Sequence, residues 1–576
     1  MRSLVNTYAR NRKKELGAFY SPQLLSDYLA STVISLYEGP SDINLNVVDP
    51  ATGESILLQS FTKIASNRGI NHRIFGIDID QQAIIMSKNL FLHKKDETTF
   101  LLADSLYPYK GLSPTDGWKV LKDIFVPGGI HFFVSNPPWG ADITKYDNLT
   151  KDFVLARGQF DIFDLFIEIM IRNLNDHGVY GIIVPDSIYN KEHNSVREML
   201  FKETTIKSIV RLGEGFFPDV NMAASIIFGV KEKTDNYSIK CSHFSNSDKK
   251  ELLVGKCSLL KMINMKSVSI PSMLMIDNGY SFITDIAPNN LDLFNQLSKC
   301  KRFSDFSESH RGVELSKKGN LLKCGNCNKW LPEPRQNNNK EGKCPHCGYQ
   351  LSKDSVKAKI IYKDRKSNCM PLIVGEDINR FTLYSKQYIE LGYDGINYKD
   401  KKLYDGTKIL VRKTGVGITA GMDYNNCYTN QVVYILRRKE NIHEYITNEV
   451  LLAILNSRLL SFYYIIRYGS TAWKSNPYIS QNMLGDLPFP SFDPESKETK
   501  ELLKRIHILV NRGIQNKNQH FPSSADAEIE WIVAKLFNVS KEQYKTVFET
   551  IDSVEKLIPY KRLLGVTLED IFKYGI

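Results

Sequence analysis

Seven short apolar runs, at residues 46–49, 73–77, 99–103, 130–135, 179–184, 206–212 and 222–230, are interleaved with helix-patterned stretches such as 56–65, 81–92 and 160–174. This alternation constrains the fold more than any other feature of the chain. Strands separated by helices pair in parallel, and the helices cover both faces of the sheet. The last two runs are separated by only nine residues, 213–221. That is too short for a crossover helix, so the pair is predicted to close as an antiparallel hairpin. The expected architecture for residues 1–235 is an α/β Rossmann-like sheet ending in that hairpin.

The chain is too long for a single core: 576 residues point to three or four domains. Past residue 235 polar stretches (235–250, 311–320, 336–343) break up short mixed segments, and residues 491–576 turn helical, with apolar positions at helical spacing over 529–537. The expected division is a first domain over 1–235, an α+β domain over 236–490 with an insertion at 320–352, and a helical region over 491–576. Hydrophobic residues at 42% and charged residues at 24% exclude wholesale disorder, collagen and coiled coil. The longest apolar runs, near 160–171 and 459–466, are short or broken by charge, so no transmembrane helix and no membrane partner are expected. The N-terminus has positive charge without an apolar signal core, which predicts a cytoplasmic chain. With 75 Lys and Arg against 64 Asp and Glu, the net charge of +11 favours a polyanionic partner.

In an open α/β sheet, ligands bind beyond the carboxyl ends of the strands. The first three predicted strands each lead into acidic residues there: Asp49 in Asp49-Pro50-Ala51-Thr52-Gly53, then Asp78 and Asp80, then Asp104. Singly, an Asp after a strand is usually a helix N-cap. In this order the set suits a nucleoside cofactor, one carboxylate accepting ribose hydroxyls and another an adenine amino group. The fourth strand ends in Asn136-Pro137-Pro138-Trp139. Two prolines remove two backbone donors and stiffen the turn. The Asn136 amide oxygen and the Pro137 carbonyl are then expected to act as two fixed acceptors beside a flat ring, an arrangement suited to an exocyclic amine on a planar base.

On these motifs the first 235 or so residues resemble the gamma class of S-adenosylmethionine-dependent DNA adenine-N6 methyltransferases, of the type II restriction-modification kind with target recognition in the same chain. The resemblance implies a class I methyltransferase sheet. It also implies S-adenosylmethionine as cofactor, held by Tyr20 and Ser21 of Gly17-Ala18-Phe19-Tyr20-Ser21-Pro22, by Asp49, Ala51 and Gly53, by Asp78 and Asp104, and by Asn136. Asn136, Pro137, Pro138 and Trp139 are the implied catalytic group. Phe217, in Gly213-Glu214-Gly215-Phe216-Phe217-Pro218, stands where the family places an aromatic against the flipped base, and Asp161 matches a further family position. The implied reaction stacks an extruded adenine between Trp139 and Phe217, and its amino nitrogen attacks the sulfonium methyl without a general base. Two departures stand out. Ser55 replaces the family's third loop glycine, which predicts a narrowed approach to the cofactor, and Trp139 replaces the commoner Tyr or Phe.

Cys324-Gly325-Asn326-Cys327 and Cys344-Pro345-His346-Cys347 form a CxxC-x16-CxxC pattern, which reads as a structural zinc ribbon with four thiolate ligands. Segments 371–378 and 408–431 resemble the target-recognition regions of the same enzymes, as do 452–460, expected as one helix, and 487–490. Arg412, Lys413, Arg467 and Lys474 are the candidate DNA contacts. The expected partner is double-stranded DNA, bound by a monomer of a prokaryotic, nucleoid-associated enzyme. Any cleavage is assigned to a separate restriction endonuclease or defence protein, because too few residues precede Gly17 for a nuclease domain and no metal-binding Asp/Glu-x-Lys cluster is evident in the C-terminal half. Methyl transfer to an RNA base or a protein glutamine on the same fold, and a non-catalytic DNA-binding subunit, are the alternative readings.

Overall fold

Every strand predicted in the first region forms. The computed structural model describes residues 21–40, 43–217, 222–244, 246–316, 318–333, 342–351, 355–468, 478–515, 521–554 and 558–575. The chain divides into two units, Met1–Pro288 and Asn289–Ile576.

The first unit is built on one nine-stranded sheet, from β1 (Leu45–Asp49), β2 (His72–Asp78), β3 (Thr98–Leu102), β4 (Ile130–Ser135), β5 (Leu174–Pro185), β6 (Thr205–Gly213), β7 (Ala224–Val230), β8 (Ser238–His243) and β9 (Val268–Pro271), in the order 3-2-1-4-5-7-6-8-9. β1 pairs in parallel with β2 and β4, β2 with β3, and β4 with β5. β7 runs antiparallel between β5 and β6, which is the predicted hairpin. The hairpin is not the end of the sheet, however. β8 adds in parallel to β6 and β9 antiparallel to β8, so the sheet continues past the expected boundary at 235. Ile239 and Cys241 are buried between exposed Ser238 and Lys240, a period-2 pattern inside a stretch that overall composition marks as polar.

The strand order reverses between β1 and β4, the point at which α/β sheets open a crevice. The helix Gln23–Leu36 crosses close to β5: a Cβ on Gly181 would lie 2.7 Å from Val33 Cγ1. Glycine there lets the helix sit tightly on the sheet, and this fixes Ser21 and Pro22 at its N-terminus beside the crevice. The helix Ile56–Asn67 packs beside that helix: Phe61 is fully buried with its ring 4.9 Å from that of Phe132 on β4, which also meets Tyr37 at 5.0 Å.

The second unit contains two four-stranded sheets. One has the order 307–311, 433–438, 408–412, 420–423 and is antiparallel throughout; the other has the order 361–362, 387–390, 369–373, 428–429. They share a core in which Leu372, Ile389, Leu410, Val433 and Ile435 are almost wholly buried. A three-stranded ribbon (Asn320–Lys323, Trp330–Pro332, Lys357–Lys359) is tied to that core by Leu321, Ile360 and Ile361. The segment expected as one helix over 452–460 is two, Asn448–Leu455 and Arg458–Tyr468, bent by 54°. The break falls at Asn456, whose side chain accepts from Ala420 N and donates to Ala420 O, closing a ring with the backbone that a continuous helix would forfeit. Helices Lys497–Gln515, Ser523–Leu536 and Lys541–Ser553 complete the expected helical region. Arg458 is buried against Asp526 and Glu530, and Arg380 reaches the same two acids. No single helix among the described residues is long and apolar enough to cross a membrane.

Candidate active site

The crevice at the β1/β4 reversal is lined by Ser21, Asp49, Ala51, Thr52, Gly53, Glu54, Ile56, Leu57 and Asn136, so five residues predicted as cofactor ligands meet in one place. The loop after β1 is held by acids on both sides. Asp49 Oδ1 accepts from Ala51 N at 3.0 Å, and Asp78 Oδ2 at the tip of β2 accepts from Gly53 N at 2.8 Å. Asp78 Oδ1 takes Asp80 N at 2.8 Å, while Asp80 caps the helix Gln81–Leu90. Asp49 is 1% exposed, its Oδ2 buried without a well-formed hydrogen bond, and burial pushes its carboxyl up to about 7. Burial also raises Asp78 above the usual carboxylate range. A cationic ligand at this wall would stabilise both carboxylates in their ionised form.

Ser55 does not narrow the crevice as expected. It takes a left-handed backbone with φ of 60°, the conformation for which glycine is usually chosen. Its side chain, however, is fully buried in a hydroxyl chain, 2.8 Å from Thr52 Oγ1 and donating to Ser87 Oγ at 2.7 Å. Ser55 is absent from the lining: its Cβ points toward the helix Gln81–Leu90, and the hydrogen bonds offset part of the backbone strain.

At the tip of β4, Asn136 faces the crevice and donates from Nδ2 to Ser21 Oγ at 3.1 Å. Pro137 is buried in a trans turn, Pro138 half-buried and Trp139 3% exposed. The turn is locked from behind: Asp161 caps the helix Ile162–Asn173 and accepts from Gly140 N at 2.9 Å, directly after Trp139. The Asp161–Asp164 capping box holds that helix end, and Asp164 Oδ2 lies 2.7 Å from His193 Nδ1. Trp139 and Phe217 are brought together, but not as a slot. Their centroids are 5.2 Å apart at 75°, edge to face. A planar base stacked between both faces needs about 7 Å, twice a carbon–carbon contact distance. The two rings therefore leave no slot between their faces, and the expected sandwich geometry is not present.

Asp104, after β3, accepts from Leu106 N at 3.0 Å and from the Tyr146 hydroxyl at 2.7 Å. Tyr146 stacks on Tyr107 (5.8 Å, 26°), which in turn donates to Asp152. Sequence reasoning missed this pair; the only signal was two tyrosines in the loops after β3 and β4. It also missed Arg211, which is buried with Asp186 at 2.9 Å and Asp285 at 3.0 Å and lies 4.3 Å over the Tyr189 ring. Tyr20 and Lys474 lie outside the described residues.

Residues 2–266 match the N-6 DNA methylase family, and residues 370–489 match the TaqI-like C-terminal specificity domain. The chain is a DNA methyltransferase. The methyltransferase is 22% identical over 624 aligned positions to the type II methyltransferase M.BanIII of Aneurinibacillus aneurinilyticus, with 92% of this chain and 98% of that protein covered. It is 26% identical over 242 positions to the methylase subunit of the type I restriction enzyme MpnII of Mycoplasma pneumoniae, covering 39% of this chain and 42% of the subunit. In fold it is similar to a nuclease-deletion mutant of the Type ISP restriction-modification enzyme LlaGI, solved with a DNA substrate mimic: TM-score 0.52 at 13% identity, covering 90% of this chain and 57% of that one.

In the second unit of the methyltransferase, the Sγ atoms of Cys324, Cys327, Cys344 and Cys347 all lie within 4.8 Å of one another. The separations Cys324–Cys347 and Cys327–Cys344 are 3.7 and 3.8 Å. Zinc–sulfur bonds of about 2.3 Å in a tetrahedron give an edge of about 3.8 Å, so the donor set fits the ion. Two backbone turns build the knuckles, Asn328 N bonding Cys324 O and Gly348 N bonding Cys344 O, with Asn328 and Gly348 both at positive φ. Arg412 and Lys413 sit together where the strand Lys408–Arg412 ends, and Thr414 bridges to Tyr478 across that edge. Arg467 lies in the last turn of the helix Arg458–Tyr468.

Proposed function

We propose that the chain methylates the N6 amino group of an adenine swung out of a specific duplex DNA sequence, with S-adenosylmethionine as donor. The observation that carries this reading is the placement of the Asn136 side chain in the same crevice as Asp49, Ala51 and Gly53, on a proline-stiffened strand tip. Ser21, Asp49, Ala51, Gly53, Asp78 and Asp104 are the residues that would hold the cofactor, which supplies an electrophilic methyl group on a sulfonium; Asn136 borders the same crevice and is assigned chiefly to the base. Asn136 Oδ1 and the Pro137 carbonyl accept hydrogen bonds from the base's amino group and draw its nitrogen toward tetrahedral geometry. The lone pair is then available without a general base. Trp139 offers the stacking face once Phe217 has moved off it. The rate enhancement comes from positioning and fixed dipoles. In the second unit, Cys324, Cys327, Cys344 and Cys347 hold a structural zinc ion, and Arg412, Lys413 and Arg467 contact phosphates of the target.

Asn136→Ala tests the central assignment. Expected is loss of methylation by at least about a hundredfold, the scale for deleting a preorganised polar group, with cofactor affinity within a few-fold of the parent. Loss of cofactor binding in step with activity would contradict the assigned role. Duplex DNA, RNA and glutamine-containing peptides offered side by side give methylated DNA alone on this reading.

A further inference from the structure

The positive charge of this chain is concentrated in one module. Residues 317–366, the four-cysteine ribbon and the strand that follows it, hold thirteen Lys and Arg against four Asp and Glu, a net +9 of the chain's +11. We infer that this module is a second DNA-backbone clamp, gripping phosphates of the duplex that flanks the recognition sequence. The inference rests on the reading that the chain acts on duplex DNA.

Three observations support it. First, the charge on the described residues from Lys343 to Lys366 is exposed and largely uncompensated. Lys343, Lys359, Lys363, Arg365 and Lys366 are all exposed, and none is paired with a carboxylate among the described residues; Lys357 alone reaches one, Glu333 at 3.3 Å. Second, these basic side chains lie on one folded frame. They come from the edge strand Lys357–Lys359, the turn after it and the second cysteine knuckle, whose tip exposes His346 and Tyr349. Third, the frame is fixed to the specificity domain. Leu321, Ile360 and Ile361 are buried in the same core as Leu372 and Ile389, and Trp330 N donates to Asp394 O at 2.7 Å. A phosphate gripped by the ribbon is thereby held in register with the bases read by residues 370–489. Edge strands often carry lysine to prevent edge-to-edge pairing, but one or two serve that purpose. A run of cations that extends past the strand with one intervening acid, Asp364, suits a partner with a charge every ~1.7 Å of its axis.

The test compares the full-length chain with Lys359→Gln, Lys363→Gln, Arg365→Gln and Lys366→Gln combined, on a 40-base-pair duplex of mixed sequence, by fluorescence anisotropy at several salt concentrations. Each phosphate contact contributes about 0.9 to the slope of log affinity against log salt, so the slope should fall by about 2 to 4 and affinity drop tenfold or more near 150 mM salt. A control with Lys541→Gln, Lys545→Gln, Lys561→Gln and Arg562→Gln, equal in charge and located on the C-terminal helices, should lose less than threefold. Zinc content and cofactor affinity should match the parent in both. An unchanged slope in the ribbon variant, or equal losses in the two variants, would overturn the inference. Failure of the parent itself to bind duplex would overturn the DNA reading along with it.

Discussion

The hydroxyl of Tyr146 donates a 2.7 Å hydrogen bond to Asp104 Oδ2, the carboxylate at the tip of β3 assigned to the cofactor's adenine. That oxygen is thus satisfied by the protein's own side chain. Tyr146→Phe removes the competitor. A hydrogen bond to an ionised partner is worth about 1.5–3 kcal/mol, part of which is recovered when Tyr146 finds water, so cofactor affinity should rise about three- to tenfold by calorimetry. Asp104→Ala should weaken it by at least tenfold. An unaltered dissociation constant in Tyr146→Phe would show that the two ligands of Asp104 do not compete.

Ser55 gives a sharper separation of stability from binding. Ser55→Ala keeps the left-handed backbone and deletes the hydroxyl that links Thr52 to Ser87, so the first unit should lose about 1–2 kcal/mol in chemical denaturation. Cofactor affinity should stay within twofold, because the side chain faces away from the crevice. A large loss of affinity at unchanged stability would place Ser55 at the ligand after all.

The carboxyl of Asp49, raised to about 7 by burial, makes two pH effects expected. Its folded pKa exceeds its unfolded value near 4, so the native state binds more protons than the unfolded one, and this group's contribution to stability declines as pH rises from about 4 to 7. A cationic cofactor favours the ionised form, so binding below pH 7 should release protons. Calorimetry at pH 6 in buffers of different ionisation enthalpy should give different heats for the parent and a clearly smaller spread for Asp49→Asn, in which only Asp78 is left to release protons. Equal heats for the parent would remove Asp49 from the binding wall.

Zinc removal tests the ribbon. The parent should contain one zinc per chain by elemental analysis, and Cys327→Ser should contain little. With a strong chelator, residues 320–351 should become the first site of limited proteolysis while the first unit keeps its cofactor affinity. Full protection after metal loss would leave the thiolates without a structural role.

Much of the first unit was legible because strand–helix alternation and strand-tip acids are local signals. β1 through β7, the Asp49–Gly53 loop and the Asn136 corner all follow from neighbours in sequence. What escaped was built from distant partners. β8 hid in a polar stretch whose Ile239/Cys241 alternation spans only a few residues, and β9 is too short to stand out. Tyr146 reaches Asp104 across 42 positions, Ser55 reaches Ser87 across 32, and Asn456 breaks a helix to bond Ala420, 36 residues earlier. No periodicity reports such contacts. Ser55 was also misjudged because a residue type at a loop position does not say which way its Cβ points.

The edge-to-face contact between Trp139 and Phe217 has a bearing on selectivity. On the proposed reading, an incoming adenine would exchange one aromatic neighbour of the tryptophan for another, so little apolar surface would be newly shielded from solvent and size alone would be weakly rewarded. The net reward would then fall on what the phenyl ring lacks, the amine whose hydrogen bonds Asn136 and the Pro137 carbonyl are proposed to accept. Thymine and guanine could fill the space, yet neither presents that group at the adenine position, and the enzyme would turn them away for want of a donor.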